Sequence, residues 1–194
     1  MLKIGITGGI GSGKTTVCRI FEILGIPVFN ADLVAKSIMN TDSLLRSSIK
    51  ATFGSQAYSE NGELDRKYLA SQVFNNQEAL DKLNVLVHPA AIQASIDWFK
   101  QQQGPYALKE AAILFESGSY KDCDYNILVS SPEEIRIKRV MERDGVSEES
   151  VRSRISKQMT EEKKLELADF VIVNDGNMPL IPQVLKLHEH FLSI

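Results

Sequence analysis

Gly8-Gly9-Ile10-Gly11-Ser12-Gly13-Lys14-Thr15 fills every fixed position of G-x-x-x-x-G-K-[ST]. Glycines at these spacings let backbone N–H groups turn inward around phosphate oxygens, and a helix starting at Lys14 adds the positive end of its dipole. Lys14 is then placed for the β and γ phosphates, and Thr15 for a magnesium ion. The contacting set for ATP is Gly9, Gly11, Ser12, Gly13, Lys14, Thr15 and Thr16. A glycine turn without a ligand is the plain alternative; an apolar run before the motif and a helical pattern after it argue against that. The dinucleotide pattern G-x-G-x-x-G is excluded locally, because it needs a glycine where Lys14 stands.

A phosphate loop alone does not name a reaction. The chain holds neither an Asn-Lys-x-Asp nor an Asp-x-x-Gly quartet, so a GTPase switch is not indicated. Small-molecule kinases place a carboxylate near the end of the second strand to receive the acceptor hydroxyl, and Asn30-Ala31-Asp32 puts one there. From position alone, Asp32 is equally suited to cap a helix starting at this point. Between Arg136 and Lys164 stand nine Lys/Arg (136, 138, 139, 143, 152, 154, 157, 163, 164) against six acids (142, 144, 148, 149, 161, 162). Such a run is usually a solvated helix face. In a kinase it has a second use, since cations are needed on the far side of the triphosphate and a mobile helical lid brings them. Arg139 and Arg143, at i and i+4, share a helix face and are expected to point at one anion, with Arg136 on a similar face. For Arg152, Arg154 and Lys157 the solvated reading stands.

These residues need elements to hold them. Leu2 to Ile6 reads as a buried strand, a helix follows from Lys14 to a stop at Gly25, and Pro27 to Asn30 reads as a second strand. That alternation predicts an α/β fold with a parallel sheet flanked by helices. Residues 31 to 104 carry helical patterns only, at 32–40, 43–53, 66–75 opened by Asp65, 77–87, and 89–103 with Pro89 in its first turn. Strands resume at Tyr106 to Ala111 and Tyr125 to Ser130. Ser131-Pro132-Glu133-Glu134 predicts a helix over 132–144 with Ser131 as N-cap. Further helices are expected from Ser147 and Thr160, then a strand at Phe170 to Val173 and a last amphipathic helix from Leu180 to Leu192.

The 194 residues suit one compact unit with subdomains, and 43% hydrophobic with 24% charged residues is globular composition. A net charge of −3 argues against nucleic acid as a main partner. No stretch is apolar enough to suggest a membrane span or an export signal, so a cytoplasmic enzyme is expected. Cys18 and Cys123 lie in no metal-ligand spacing, and two reduced thiols are the expectation.

Along nearly its whole length the chain resembles the dephospho-coenzyme A kinases. The likeness runs through Thr7 to Thr15, Ala31-Asp32, Leu64-Asp65-Arg66, Leu83-Asn84, His88-Pro89, Leu114-Phe115-Glu116, Arg139, Arg143-Asp144, Gln158, Ala168-Asp169 and Asn174. The resemblance implies magnesium-dependent transfer from ATP to the ribose 3′-hydroxyl of dephospho-coenzyme A on a nucleotide-kinase-like fold. It implies a nucleotide-binding core (1–30, 106–135 and 168–194), a helical acceptor domain (31–105) and a lid (136–167). Asp32 would be the general base, Lys14 and Arg139 the catalytic cations, and Arg143 and Asn174 further ATP ligands, Asn174 beside the adenine. Arg66 and His88 would serve the acceptor; the alternatives are a surface partner of Asp65 for Arg66 and a capping or core histidine for His88. The family often has Asp at Asn30, Pro at Ala112 and Gln at Arg136. With Asn30 neutral, Asp32 is the carboxylate of its turn, while either Glu110 or Glu116 could order magnesium through water. Rival readings are a P-loop kinase for a nucleoside monophosphate or sugar acid, and a non-catalytic ATP sensor that kept the loop.

Overall fold

Five parallel strands make one sheet in the order β2-β3-β1-β4-β5: β1 Leu2–Thr7, β2 Val28–Asn30, β3 Tyr106–Glu110, β4 Tyr125–Ser130 and β5 Phe170–Val173. The computed structural model describes residues 1–74 and 76–194. β1 lies at the centre with Ile4 and Ile6 on one face and the small or buried Gly5 and Thr7 on the other, and Ile4, Ile6, Leu108, Ile127, Val129 and Ile172 of four strands are all fully buried. Helix α1 (Lys14–Ile23) buries Val17, Cys18 and Phe21 on the sheet, and Val184 and Phe191 of the last helix join the same core.

Asn30, Glu110 and Ile6 are register partners across β2, β3 and β1, and Ser130 pairs with Val173 across β4 and β5. The phosphate loop, Glu110, Ser131 and Asn174 therefore leave the sheet at the carboxyl ends of the strands, where open α/β sheets bind ligands.

The chain divides into two compact units, Met1–Asn30 with Gln102–Ile194, and Ala31–Gln101. The second is helical: α2 Ala31–Thr41, α3 Ser43–Phe53, a 3₁₀ turn Ser55–Ala57, α4 Arg66–Val73 and α5 Gln77–Gln101. Its own core gathers Leu45, Ile49, Tyr58, Leu64, Leu69 and Val87. Asp42 and Asp65 cap α3 and α4 by accepting from the backbone N–H of Leu45 and Tyr68. The first unit adds α6 Glu133–Asp144, α7 Glu148–Ile155, α8 Glu161–Leu167 and α9 Leu180–Leu192.

Several boundaries differ from the sequence reading, most by a residue or two, and three are instructive. The helices expected at 77–87 and 89–103 are one continuous α5 with Pro89 inside it; packing of Val87, Ser95 and Phe99 on one side overrides the local cost of a proline. Helix α6 starts at Glu133, and Ser131 does not cap it; its hydroxyl accepts from Arg139 Nη1 instead, 3.3 Å away. The helix expected over 66–75 ends at Val73, and Asn75 lies outside the described residues. The short 3₁₀ turns at Ser55–Ala57 and Ser119–Asp122 gave no periodic signal. Among the described residues no helix is long and apolar enough to cross a membrane.

Candidate functional site

The phosphate loop is built from backbone outward. Gly13 enters α1 with φ +94°, a left-handed conformation that only glycine adopts without strain, and a Cβ there would also collide with the Asn174 side chain. The loop folds on itself through Ser12 N–H to Gly9 O at 3.0 Å, and α1 closes on Gly13 O through Thr16 and Val17. The first-turn N–H groups at Lys14 and Thr15 lack intrahelical carbonyls by geometry, as at every helix start, and so remain donors for an anion. Lys14 Nζ donates to Gly8 O at 2.8 Å, which curls the amine over the loop. Thr15 and Thr16 are exposed at the helix start. A glycine cradle, a converging ammonium and an exposed threonine hydroxyl fit a polyphosphate with a hard divalent cation. One helical turn further in, burial first and Glu110 second push the Cys18 thiol far up, leaving it an inert core residue.

Distant parts of the same unit brace the loop. Asn174, just past β5, donates from Nδ2 to Ser12 O at 2.7 Å and accepts at Oδ1 from Arg139 Nη2 at 3.2 Å. Arg139 Nη1 also reaches Asn174 O and Ser131 Oγ, at 3.2 and 3.3 Å. Gln158 Oε1 accepts from Ile10 N at 2.9 Å. Arg136 is 6% exposed, and a Cβ on Gly9 would overlap its guanidinium.

Arg139 and Arg143 take different partners. Arg139 is tied into the Ser131 and Asn174 contacts, whereas Arg143 is exposed and grips its neighbour Asp144 with Nε to Oδ1 at 2.7 Å. That bond raises the Arg143 pKa and holds the Asp144 carboxyl below its ordinary value, with Arg154 adding to the second effect. Both stand on α6, but Arg143 is taken up by the carboxylate one residue away. Arg152 lies among Glu133, Glu134 and Glu148, a surface network as expected of a solvated face.

Of the two glutamates weighed for magnesium, Glu116 is otherwise engaged. Its Oε1 accepts from Met159 N at 3.0 Å and pairs with Lys164 Nζ at 3.3 Å, a lysine 1% exposed. Glu110 is also buried, at the carboxyl end of β3 beside β1, and accepts from the Asn30 amide. An aspartate at position 30 would repel that carboxylate, whereas asparagine donates to it. Asn30 is therefore not merely a missing charge: its partner places a second carboxylate next to the end of β2.

In the helical unit Asp32 is the second residue of α2, half-buried, and stands inside the first turn rather than in front of it as a cap. Arg66 opens α4 and is exposed; Asp65 is occupied with capping, so the two do not form the surface pair considered for them. His88 is exposed midway along α5, neither a cap nor a core residue. The contributions of Gln158 and Asn30 were beyond the sequence reading, because each depends on a partner far along the chain.

Comparison with known proteins adds an independent line. The family model described as dephospho-CoA kinase matches residues 2–179. A dephospho-CoA kinase of Bacteroides fragilis is 38% identical over 187 residues, 96% of this chain and 91% of that protein. Among solved structures, TT1252 from Thermus thermophilus superposes with a TM-score of 0.89 at 34% identity, covering 98% of this chain and 97% of that one. The dephospho-CoA kinase from Campylobacter jejuni gives 0.73 at 29% identity with the same coverage.

Proposed function

The chain belongs to the dephospho-CoA kinase family, and we propose that it transfers the γ-phosphoryl group of ATP to the ribose 3′-hydroxyl of dephospho-coenzyme A, giving coenzyme A and ADP. The observation that carries this reading is the phosphate loop, with Lys14 folded over Gly8, in a chain that matches the family over residues 2–179. The rival acceptors, a nucleoside monophosphate or a sugar acid, are not favoured by a family match of that extent. A decayed sensor is not favoured either, since Lys14, Thr15, Asp32 and Arg139 are all present.

On this reading Gly9, Gly11, Ser12, Gly13, Lys14, Thr15 and Thr16 receive the triphosphate, and Lys14 offsets charge on the β and γ groups. Thr15 would hold magnesium, which would supply charge neutralisation on the transferred group, and Glu110 would be its carboxylate partner through water. Asp32 accepts the hydrogen bond of the attacking hydroxyl and aligns it in line; because phosphoryl transfer is loose, the proton passes to it late. Arg139 acts on the transferred phosphoryl group from a lid formed by residues 136–167, and Arg143 exchanges Asp144 for the nucleotide when that lid closes. Asn174 supports the adenine end while bracing Ser12. Arg66 and His88 bind the anionic part of the acceptor. The protein works in the cytoplasm.

The deciding experiment offers ATP with a panel of acceptors, dephospho-coenzyme A, adenosine, AMP and shikimate, and reads ADP release and product mass. Dephospho-coenzyme A should turn over far faster than the others and gain one phosphate at the 3′ position. Faster turnover of AMP or shikimate overturns the assignment.

A further inference from the structure

We propose that Gln158 is a positioning residue for the phosphate loop, and that the turn carrying it, between α7 and α8, sets the affinity for ATP. The inference rests on the ATP-dependent reading above. Its first support is the bond from Ile10 N to Gln158 Oε1 at 2.9 Å, which spans 148 residues of sequence. Ile10 occupies a variable position of the loop, and its amide is one of the groups whose direction defines the cradle. A neutral carbonyl acceptor holds that amide without placing a competing charge beside the phosphates. The preceding residue is also determined: Arg136 fills the space a side chain at Gly9 would need. Gly9 and Ile10 are thus each in contact with a residue of the 136–167 segment.

The turn itself is fixed, which a positioning role requires. Gln158 N donates to Ile155 O at 2.9 Å, the next amide, Met159 N, donates to Glu116 Oε1 at 3.0 Å, and the same oxygen pairs with the buried Lys164 of α8. Glu116 therefore acts at one remove, anchoring the turn that anchors the loop. Gln158 and Arg136 also line a cavity of about 290 Å³, and two of its lining residues have a buried polar atom without a hydrogen-bond partner among the described residues, Arg136 Nε and Glu161 Oε1. The Ile10 side chain packs against Ile137, Val140 and Val151 of α6 and α7, so the contact that Gln158 adds is to the Ile10 amide.

The test compares Gln158→Ala with Gln158→Glu, which keeps an acceptor of the same length. Amide exchange at Ile10 in the nucleotide-free protein should quicken in Q158A and return towards wild type in Q158E. In steady-state kinetics Q158A should raise KM for ATP by roughly 3- to 10-fold, the worth of one amide hydrogen bond, while kcat and KM for dephospho-coenzyme A stay within about twofold. Unchanged Ile10 exchange, or equal rises in KM for both substrates with a lowered Tm, overturns the positioning role, since a merely structural residue would give those results. Wild-type protein that binds no ATP by calorimetry overturns the functional reading as well, whereas normal wild-type binding with an unaltered KM in Q158A removes only Gln158.

Discussion

Eight consecutive residues, Gly8 to Thr15, make most of the phosphate cradle, whereas the polar groups assigned to the acceptor in the helical unit, Arg66 and His88, stand on different helices, exposed. The loop is also braced from three remote points, Gln158, Asn174 and Arg136. In the helical unit the comparable bracing serves the fold: Tyr58 OH donates to Met39 O at 2.6 Å, Arg46 Nη2 to Gly62 O at 2.8 Å, and the Arg46 and Lys50 cations lie over the Tyr58 ring. One region has its loop backbone tied down by distant side chains. The other keeps its hydrogen bonds inside and leaves its ligand candidates on the surface. A phosphate cradle needs fixed amides, because its strength is preorganisation; an acceptor site can tolerate side chains that order on binding.

The sharpest way to break that contrast is Asp32, which begins the helical unit but is assigned to the chemistry. Asp32→Asn keeps size and helical position and removes the charge. Turnover should fall by roughly 10² to 10⁴, the usual range for acid and base groups, with calorimetric binding of ATP and dephospho-coenzyme A close to wild type. Since α2 begins at Ala31, Asp32 is not the residue whose capping would explain a loss. Turnover within a fewfold of wild type would remove the base and leave Asp32 a favourable first-turn charge.

Next in size is Arg139. Its guanidinium meets Asn174 O and Oδ1, and Asn174 holds Ser12, so Arg139→Met loosens the loop brace and, on the role proposed for it, also withdraws a cation from the transferred phosphoryl group. A fall in turnover of about 10² to 10³ is expected, on the scale of lost transition-state donors. Arg152→Met, in the surface network with Glu133, Glu134 and Glu148, should change turnover less than about twofold. Equal small effects at both positions would leave Arg139 a structural partner of Asn174 with no part in the chemistry.

The two regions were also unequally legible. The strand, glycine turn and helix from Leu2 to Ile23 are dictated by near neighbours, so pattern and spacing suffice. Asp65 as a cap was readable for the same reason. Pro89 misled because helix-breaking is a local rule, and α5 is held by burial along its length. Ser131 misled because its hydroxyl finds Arg139, a stronger partner than an N–H of α6. Gln158 could be noted as part of a resemblance, but its task is set by Ile10, and no local pattern encodes a contact across 148 residues. Glu110 and Glu116 look alike in sequence; only the neighbours Asn30 and Lys164 tell them apart.

The smallest effect separates ligand binding from capping at the start of α4. Asp65 accepts from Tyr68 N at 2.9 Å, a cap whose removal costs about 1 kcal/mol of stability. Arg66, the next residue, is exposed and takes no part in that bond. An arginine fork at a helix start suits a diphosphate, which dephospho-coenzyme A carries and adenosine does not. Arg66→Ala should therefore raise KM for dephospho-coenzyme A by about tenfold, the weight of a charge-assisted pair at a wet site, and leave Tm and KM for ATP unchanged. Asp65→Ala should do the reverse, lowering Tm with little change in either KM. Arg66→Lys should recover part of the binding, since an ammonium keeps the charge but not the two-pronged geometry. A lowered Tm without a KM change in Arg66→Ala would make the residue part of the α4 start alone, and the acceptor site would then have to be sought elsewhere on the helical unit.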